Sequence, residues 1–120
     1  MVLVDTSVWI EYFRKGHTRL EELLNKTDVA IHPFIIGELA CGTIKNRKEI
    51  LNLLQTLDSS PEISLQEILH FIELNKLQGK GIGFVDVHLL ASSLLSDFKL
   101  WTNDKKLHDI AQKIGIAFQV

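Results

Sequence analysis

The sequence predicts an α/β domain of three layers, a mostly parallel central sheet flanked by helices. Three observations carry that expectation. Short apolar runs alternate with segments of helical period from one end of the chain to the other. A length of 120 residues suits a single domain, 1–120, large enough for one well-buried core. No internal repeat, low-complexity segment or second domain breaks the pattern.

Taken in order, Val2-Leu3-Val4 reads as a short buried strand. Thr6 or Ser7 is placed to cap the helix that follows, in which Trp9, Tyr12 and Phe13 fall at i, i+3 and i+4 and Gly16 supplies the stop. Leu20, Leu23 and Leu24 give the next helix its apolar stripe, and Asn25 to Asp28 leads into a strand at Val29–Ile31. Pro33 suits the first turn of a helix that runs through Glu38 towards Gly42. After the polar break Lys45-Asn46-Arg47-Lys48 comes a helix carrying Ile50, Leu53, Leu54 and Leu57. Asp58-Ser59-Ser60-Pro61 reads as a loop. A helix from about Leu65 to Leu77 is expected to turn Ile68, Leu69 and Ile72 inward. Gly79 to Gly83 is a flexible connection. It has neither the spacing nor the ending of a phosphate-cradling glycine loop, so a hinge is the simpler reading. The segment from about Phe84 to Phe98 is apolar almost all round, which marks a central helix. A strand at Lys99–Thr102, a helix at Lys105–Ile114 and a closing strand at Ile116–Phe118 complete the series.

Composition sets the compartment and limits the partners. Hydrophobic residues make up 46% of the chain and charged ones 23%, ordinary values for a soluble protein. No apolar stretch approaches the roughly 18 residues needed to span a bilayer, so no membrane partner is expected. The start at Met1-Val2-Leu3-Val4 has no basic residue and meets Asp5 at once, unlike a secretory signal. The single cysteine, Cys41, cannot form an internal disulfide, and a cytoplasmic location is expected.

Four acids are locally out of place. Asp5 ends the first apolar run, Glu38 interrupts Phe34 to Cys41, Asp86 heads the apolar helix, and Asp104 follows Leu100-Trp101-Thr102 by one residue. Burying an isolated carboxylate costs several kcal/mol or more, so such acids are usually paired or bound to a cation. In an open parallel sheet, sites form beyond the carboxyl ends of the strands, where Asp5 and Asp104 fall. Asp86 and Asp104 also lie near helix N-termini, which favour negative charge. With Phe34 set at 0° on its helix, Glu38 falls at about 40°, on an apolar rather than a solvated side. Taken singly, each has an ordinary explanation as a turn, a cap or a helix N-terminal acid; a shared metal explains them together. An all-oxygen set suits Mg²⁺ or Mn²⁺, and no Cys/His spacing for zinc is present. Setting four negative charges aside in such a site turns the formal net charge of −2 into +2 elsewhere, so nucleic acid is not excluded as a partner.

These residues carry a family resemblance. Val2-Leu-Val-Asp-Thr-Ser-Val-Trp-Ile10, Ile36-Gly-Glu-Leu-Ala40, Gly81-Ile-Gly-Phe-Val-Asp-Val-His-Leu-Leu-Ala91 and Leu100-Trp-Thr-Asn-Asp104 occur in the order and spacing of PIN-domain ribonucleases. The chain most resembles the VapC-type toxins of toxin–antitoxin pairs. The resemblance spans essentially the whole chain and is weakest from Lys45 to Lys80. It implies a PIN-like fold, Mg²⁺ or Mn²⁺ held by Asp5, Glu38, Asp86 and Asp104, and Thr6 and Thr102 close to the site. It also implies RNA cleavage, a homodimer, and inhibition by a small VapB-like antitoxin.

Other features have plainer readings. Lys45-Asn46-Arg47-Lys48, Lys105-Lys106 and Arg14-Lys15 form basic faces that could meet phosphates but need only be solvated. His88 reads as a core histidine, and Trp9, Tyr12 and Phe13 as core or dimer surface. Asp97, about three turns beyond Asp86, is too far along its helix to share an ion. Two other classes fit less well. A phosphatase of the haloacid-dehalogenase type needs an Asp where Ser7 stands. A phosphoacceptor signalling domain needs an acidic pair and a Lys near the last strand, and Gly115 to Phe118 has none. A PIN domain that only binds RNA or protein would not need all four acids.

Overall fold

The computed structural model describes all residues, 1–120, as a four-stranded, all-parallel sheet flanked by seven helices. The strands are β1 (Val2–Val4), β2 (Val29–Ile31), β3 (Asp58–Ser59) and β4 (Lys99–Trp101), in the spatial order β3-β2-β1-β4. The helices are α1 (Thr6–Lys15), α2 (Thr18–Asn25), α3 (Pro33–Cys41), α4 (Arg47–Leu54), α5 (Leu65–Leu74), α6 (Phe84–Ser96) and α7 (Lys105–Ile114). No helix is long and apolar enough to cross a membrane.

β1 is central because it has no polar side chain to keep wet. Val2, Leu3 and Val4 are 4%, 0% and 0% exposed, the continuous apolar run of a strand covered on both faces. It pairs with β2 through Val2↔Val29 and Leu3↔Ala30, and with β4 through Leu3↔Leu100 and Val4↔Trp101. That register brings the carboxyl ends of β1 and β4 level, so the residues after Val4 and Trp101 emerge side by side. Core residues from α1 (Val8, Trp9), α2 (Leu20, Leu23), α3 (Ile35, Leu39), α5 (Ile68), α6 (Leu89, Leu90) and α7 (Leu107) close over the sheet.

Several local expectations change. The cap of α1 is Asp5, whose Oδ1 accepts from the Thr6 amide at 2.7 Å, and not Thr6 or Ser7. Asp58-Ser59, read as loop, forms the edge strand β3, pairing Ala30↔Asp58 and Ile31↔Ser59. The closing strand shrinks to a single parallel bridge, Leu100↔Ala117. α5 stops at Leu74 rather than near Leu77, and Leu69 is 54% exposed instead of inward. α6 buries Val87 through Ser93 but leaves Phe84, Leu94 and Leu95 exposed, so it is central over its middle only.

Candidate active site

The site grows from the carboxyl end of β1. Asp5 leaves the strand with extended backbone and is 7% exposed. A buried carboxylate needs partners, and Asp5 has three. Oδ1 accepts from the Thr6 amide, while Oδ2 accepts from the Thr102 hydroxyl at 2.7 Å and the Ser7 hydroxyl at 3.1 Å. Thr102 follows β4, so the level ends of the two strands make this contact possible. Its oxygen also accepts from the Asp104 amide at 3.0 Å, and the Ser7 oxygen accepts from the Asn103 amide at 3.1 Å. Thus the turn after β4 is fastened to the start of α1 by two hydroxyls.

The other acids arrive on three further elements. Glu38 sits in the second turn of α3, and its Oε1 accepts from the Thr6 hydroxyl at 2.7 Å. It is exposed, in contrast to the apolar setting read from helix phase, because Ile35 and Leu39 do the burying on α3. Asp86 stands at the third position of α6, where its Oδ2 accepts from the Gly83 amide at 3.2 Å. Asp104 caps α7, its Oδ1 accepting from the Leu107 amide at 2.9 Å.

Electrostatics tie the four together. Burial pushes the Asp86 carboxyl above its ordinary value of 3.8; the Gly83 amide opposes the rise, and the charges of Asp5, Asp104 and Glu38 reinforce it. Each of those three carboxylates therefore lies near enough to Asp86 to repel it. As the side chains stand, no three of them converge closely enough to ligate one ion. Yet Glu38 Oε2, Asp86 Oδ1 and Asp104 Oδ2 accept no hydrogen bond and remain free to turn towards a cation. An all-carboxylate set with mutual repulsion and three free oxygens fits a hard divalent ion.

Thr6 and Thr102, which the resemblance implies are close to the site, donate to Glu38 and Asp5. Sequence reasoning missed Ser7 and Asn103. Ser7 bridges Asp5 to the turn after β4, and the Asn103 side-chain amide donates to Glu11 at 2.9 Å. The signal for Ser7 was its place beside Asp5, where a hydroxyl reaches back to the strand end. His88 is 4% exposed and packs between aromatic rings, as a core histidine should.

Comparison with known proteins agrees with this architecture. The PIN domain model matches residues 2–113. The chain belongs to the PIN-domain family. It is 43% identical over 118 residues to Ribonuclease VapC32 of Mycobacterium tuberculosis, covering 98% of this chain and 95% of that one. It is 30% identical over 119 residues to Ribonuclease VapC1 of Methanocaldococcus jannaschii, covering 96% and 84%. Among solved structures, PAE2754 from Pyrobaculum aerophilum superposes with a TM-score of 0.66 at 16% identity, over 98% of this chain and 87% of that one. At that identity the likeness speaks for the fold alone.

Proposed function

We propose that the protein is a Mg²⁺- or Mn²⁺-dependent endoribonuclease, the toxin of a toxin–antitoxin pair, acting on single-stranded or looped RNA in the cytoplasm. The observation that carries this reading is the gathering of Asp5, Glu38 and Asp104 through the Thr6 and Thr102 hydrogen bonds, with the charges of all three acting on Asp86. Ribonuclease relatives along nearly the whole chain support it. Asp5, Glu38, Asp86 and Asp104 would hold the ion. A bound divalent cation lowers the pKa of a water and offsets charge on the scissile phosphate. The chain's own contribution is to fix Asp5 through Thr6, Ser7 and Thr102, and to keep free oxygens on the other three acids. Unstacked RNA fits because its phosphates and bases are accessible to a shallow cleft.

Two surfaces support the expected partners. A groove of about 1010 Å³ runs between α5 and α6 and is lined by Leu69, Phe71, Leu74, Leu94 and Leu95. It would take a second copy; of Trp9, Tyr12 and Phe13, read from sequence as core or dimer surface, Trp9 is 2% exposed and belongs to the core. A second groove, about 640 Å³, is lined by Ile10, Tyr12, Phe13, Ile44 and Ile50 together with Arg14 and Lys45. It would take an apolar antitoxin segment.

Purified protein should cut a structured RNA with Mg²⁺ or Mn²⁺ and stop in EDTA. Robust cleavage in excess EDTA, or equal cleavage by an Asp86→Asn preparation, would reject the reading.

A further inference from the structure

Among Phe, Tyr and Trp, Phe84 alone is exposed, at 53%; every other is buried or half-buried. It opens α6, two residues before Asp86. The ring does not hang free. It meets His88 edge to face, with centroids 4.6 Å apart and planes at 80°. His88 in turn meets Phe34 at 4.8 Å and 71°, and Phe34 meets His32 at 4.8 Å and 63°. His88 and His32 are 4% and 0% exposed, so the inner rings are clamped while the outer one faces solvent. Such perpendicular contacts suit the ring quadrupoles and hold each plane in place.

Two rings of this row, Phe34 and Phe84, sit on the helices that carry Glu38 and Asp86. Phe34 lies one turn before Glu38 on α3, which sets their Cβ atoms roughly 6 Å apart. Phe84 is tied to Asp86 through the first turn of α6, and Asp86 fixes that turn by accepting from the Gly83 amide. A lone exposed apolar residue needs no explanation. An exposed aromatic ring braced by a second and third ring, on the two helices that bear half of the acidic cleft, does. The broad apolar grooves elsewhere on the surface suit protein partners; a braced aromatic plane at the start of the helix that carries Asp86 suits a base.

We infer that Phe84, braced by His88 and Phe34, forms a nucleobase-stacking subsite that holds an unpaired base of RNA beside the scissile phosphate. The inference rests on the ribonuclease reading and adds to it where a neighbouring base is held. Stacking on an aromatic face tolerates any base, because every base has a π-face. The subsite therefore selects for unpaired RNA over duplex without selecting a sequence.

The test separates binding from cleavage. A single-stranded RNA carrying 2-aminopurine at successive positions is titrated with wild type, Phe84→Ala and Phe84→Trp, using Ca²⁺ in place of Mg²⁺ or Mn²⁺. Wild type should quench the probe at one position, Phe84→Ala should lose that quench and bind about 5- to 100-fold more weakly, and Phe84→Trp should restore both. In cleavage assays Phe84→Ala should raise KM and leave kcat within a few-fold, while an abasic nucleotide at the quenched position should remove the difference between the two proteins. If Phe84→Ala binds and quenches like wild type, the subsite is overturned, whether or not RNA is cut. Loss of antitoxin binding with RNA binding unchanged overturns it too. If quenching depends on Phe84 but no variant cuts RNA, the subsite stands and the ribonuclease reading falls.

Discussion

The Thr102 hydroxyl donates to Asp5 Oδ2 at 2.7 Å, across 97 residues of sequence, and joins the ends of two adjacent parallel strands. The same oxygen accepts from the Asp104 amide, so one hydroxyl serves two of the four acids. Thr102→Val keeps the shape and removes both bonds. It should cost about 1–3 kcal/mol, the penalty for leaving buried polar groups unpaired. Cleavage should fall further than the lost stability explains, since Asp5 and Asp104 each lose one of their anchors. Thr102→Ser should restore most of each. Urea unfolding at constant m, beside a cleavage assay, checks this; a Val variant as stable and active as wild type refutes it.

Asp86 and Asp5 should respond differently to neutralisation. Two carboxylates about 4 Å apart repel by roughly 4 kcal/mol at an effective dielectric of about 20, which sets the scale of strain in a cleft without a cation. The Asp86 pKa is raised in the folded state, so its favourable contribution is present below the ordinary carboxylate value and is lost as pH rises through the raised one. At neutral pH the ionised group opposes folding. Asp86→Asn retains an oxygen for the Gly83 amide, and should leave the metal-free protein equally or more stable at pH 7, with the gain fading in acid. Asp5→Asn disturbs three hydrogen bonds and should lose about 1–2 kcal/mol. Both should abolish cleavage and shrink the stabilisation given by Mn²⁺. Melting curves in EDTA and in Mn²⁺ decide; an Asp86→Asn protein that melts well below wild type without metal contradicts the cleft described above.

His32 predicts an acid-sensitive fold. Burial, aided by His88, lowers its pKa from 6.5 to about 4. The unfolded chain takes up a proton as pH drops below 6.5, and the folded one does so only near 4. Stability should therefore be full above about pH 6.5 and decline between there and 4. His32→Asn keeps an acceptor for the Phe34 amide, which His32 Nδ1 now serves at 3.0 Å. The variant should show a shallower decline between pH 6.5 and 5, read from urea midpoints. Parallel slopes for the two proteins would remove His32 from the account.

Gly81 and Lys106 form a further pair. Gly81 has φ +80°, and a Cβ there would lie 2.9 Å from Lys106 Nζ, so the lysine side chain runs against the glycine loop that leads to Asp86. Lys106 has no carboxylate partner. Gly81→Ala should cost about 1 kcal/mol or more through backbone strain and displace the amine. Lys106→Ala should weaken RNA binding across sequences and lower the salt slope by about 0.7. An unchanged slope would leave Lys106 a solvated surface charge.

For self-association, Leu95 is the sharpest probe. It is 67% exposed in the groove between α5 and α6. Leu95→Glu should convert a dimer to monomer in light scattering with the melting temperature of the monomer fold little changed. A dimer that survives Leu95→Glu places the second copy elsewhere.

The sequence exposed most of the architecture because the strands and helices here differ in period and the acids punctuate them. Asp5 and Asp104 were legible as strand-end acids since Asp5 directly follows a short buried strand and Asp104 comes three residues after another. Helix phase placed Glu38 beside Phe34 but not its exposure, which depends on Ile35 and Leu39 taking the sheet-facing side. β3 was hidden because Asp58 and Ser59 have poor strand propensity; their pairing with Ala30 and Ile31 is imposed by the neighbour. Leu69 looked like core by spacing, and only the packing of α5 on α6 through Ile68 shows that it faces out. Ser7 and Asn103 escaped because their bonds cross about 96 residues, beyond any local pattern.

The shortness of β3 has a consequence for solubility. One edge of the sheet is a two-residue strand bearing Asp58, with Pro61 close behind. The other edge, β4, is partly covered by the bridge from Leu100 to Ala117. Neither edge presents a long row of bare amides and carbonyls to another chain. The sheet edges therefore give one copy of the protein little on which to recruit another, strand on strand, into fibrils.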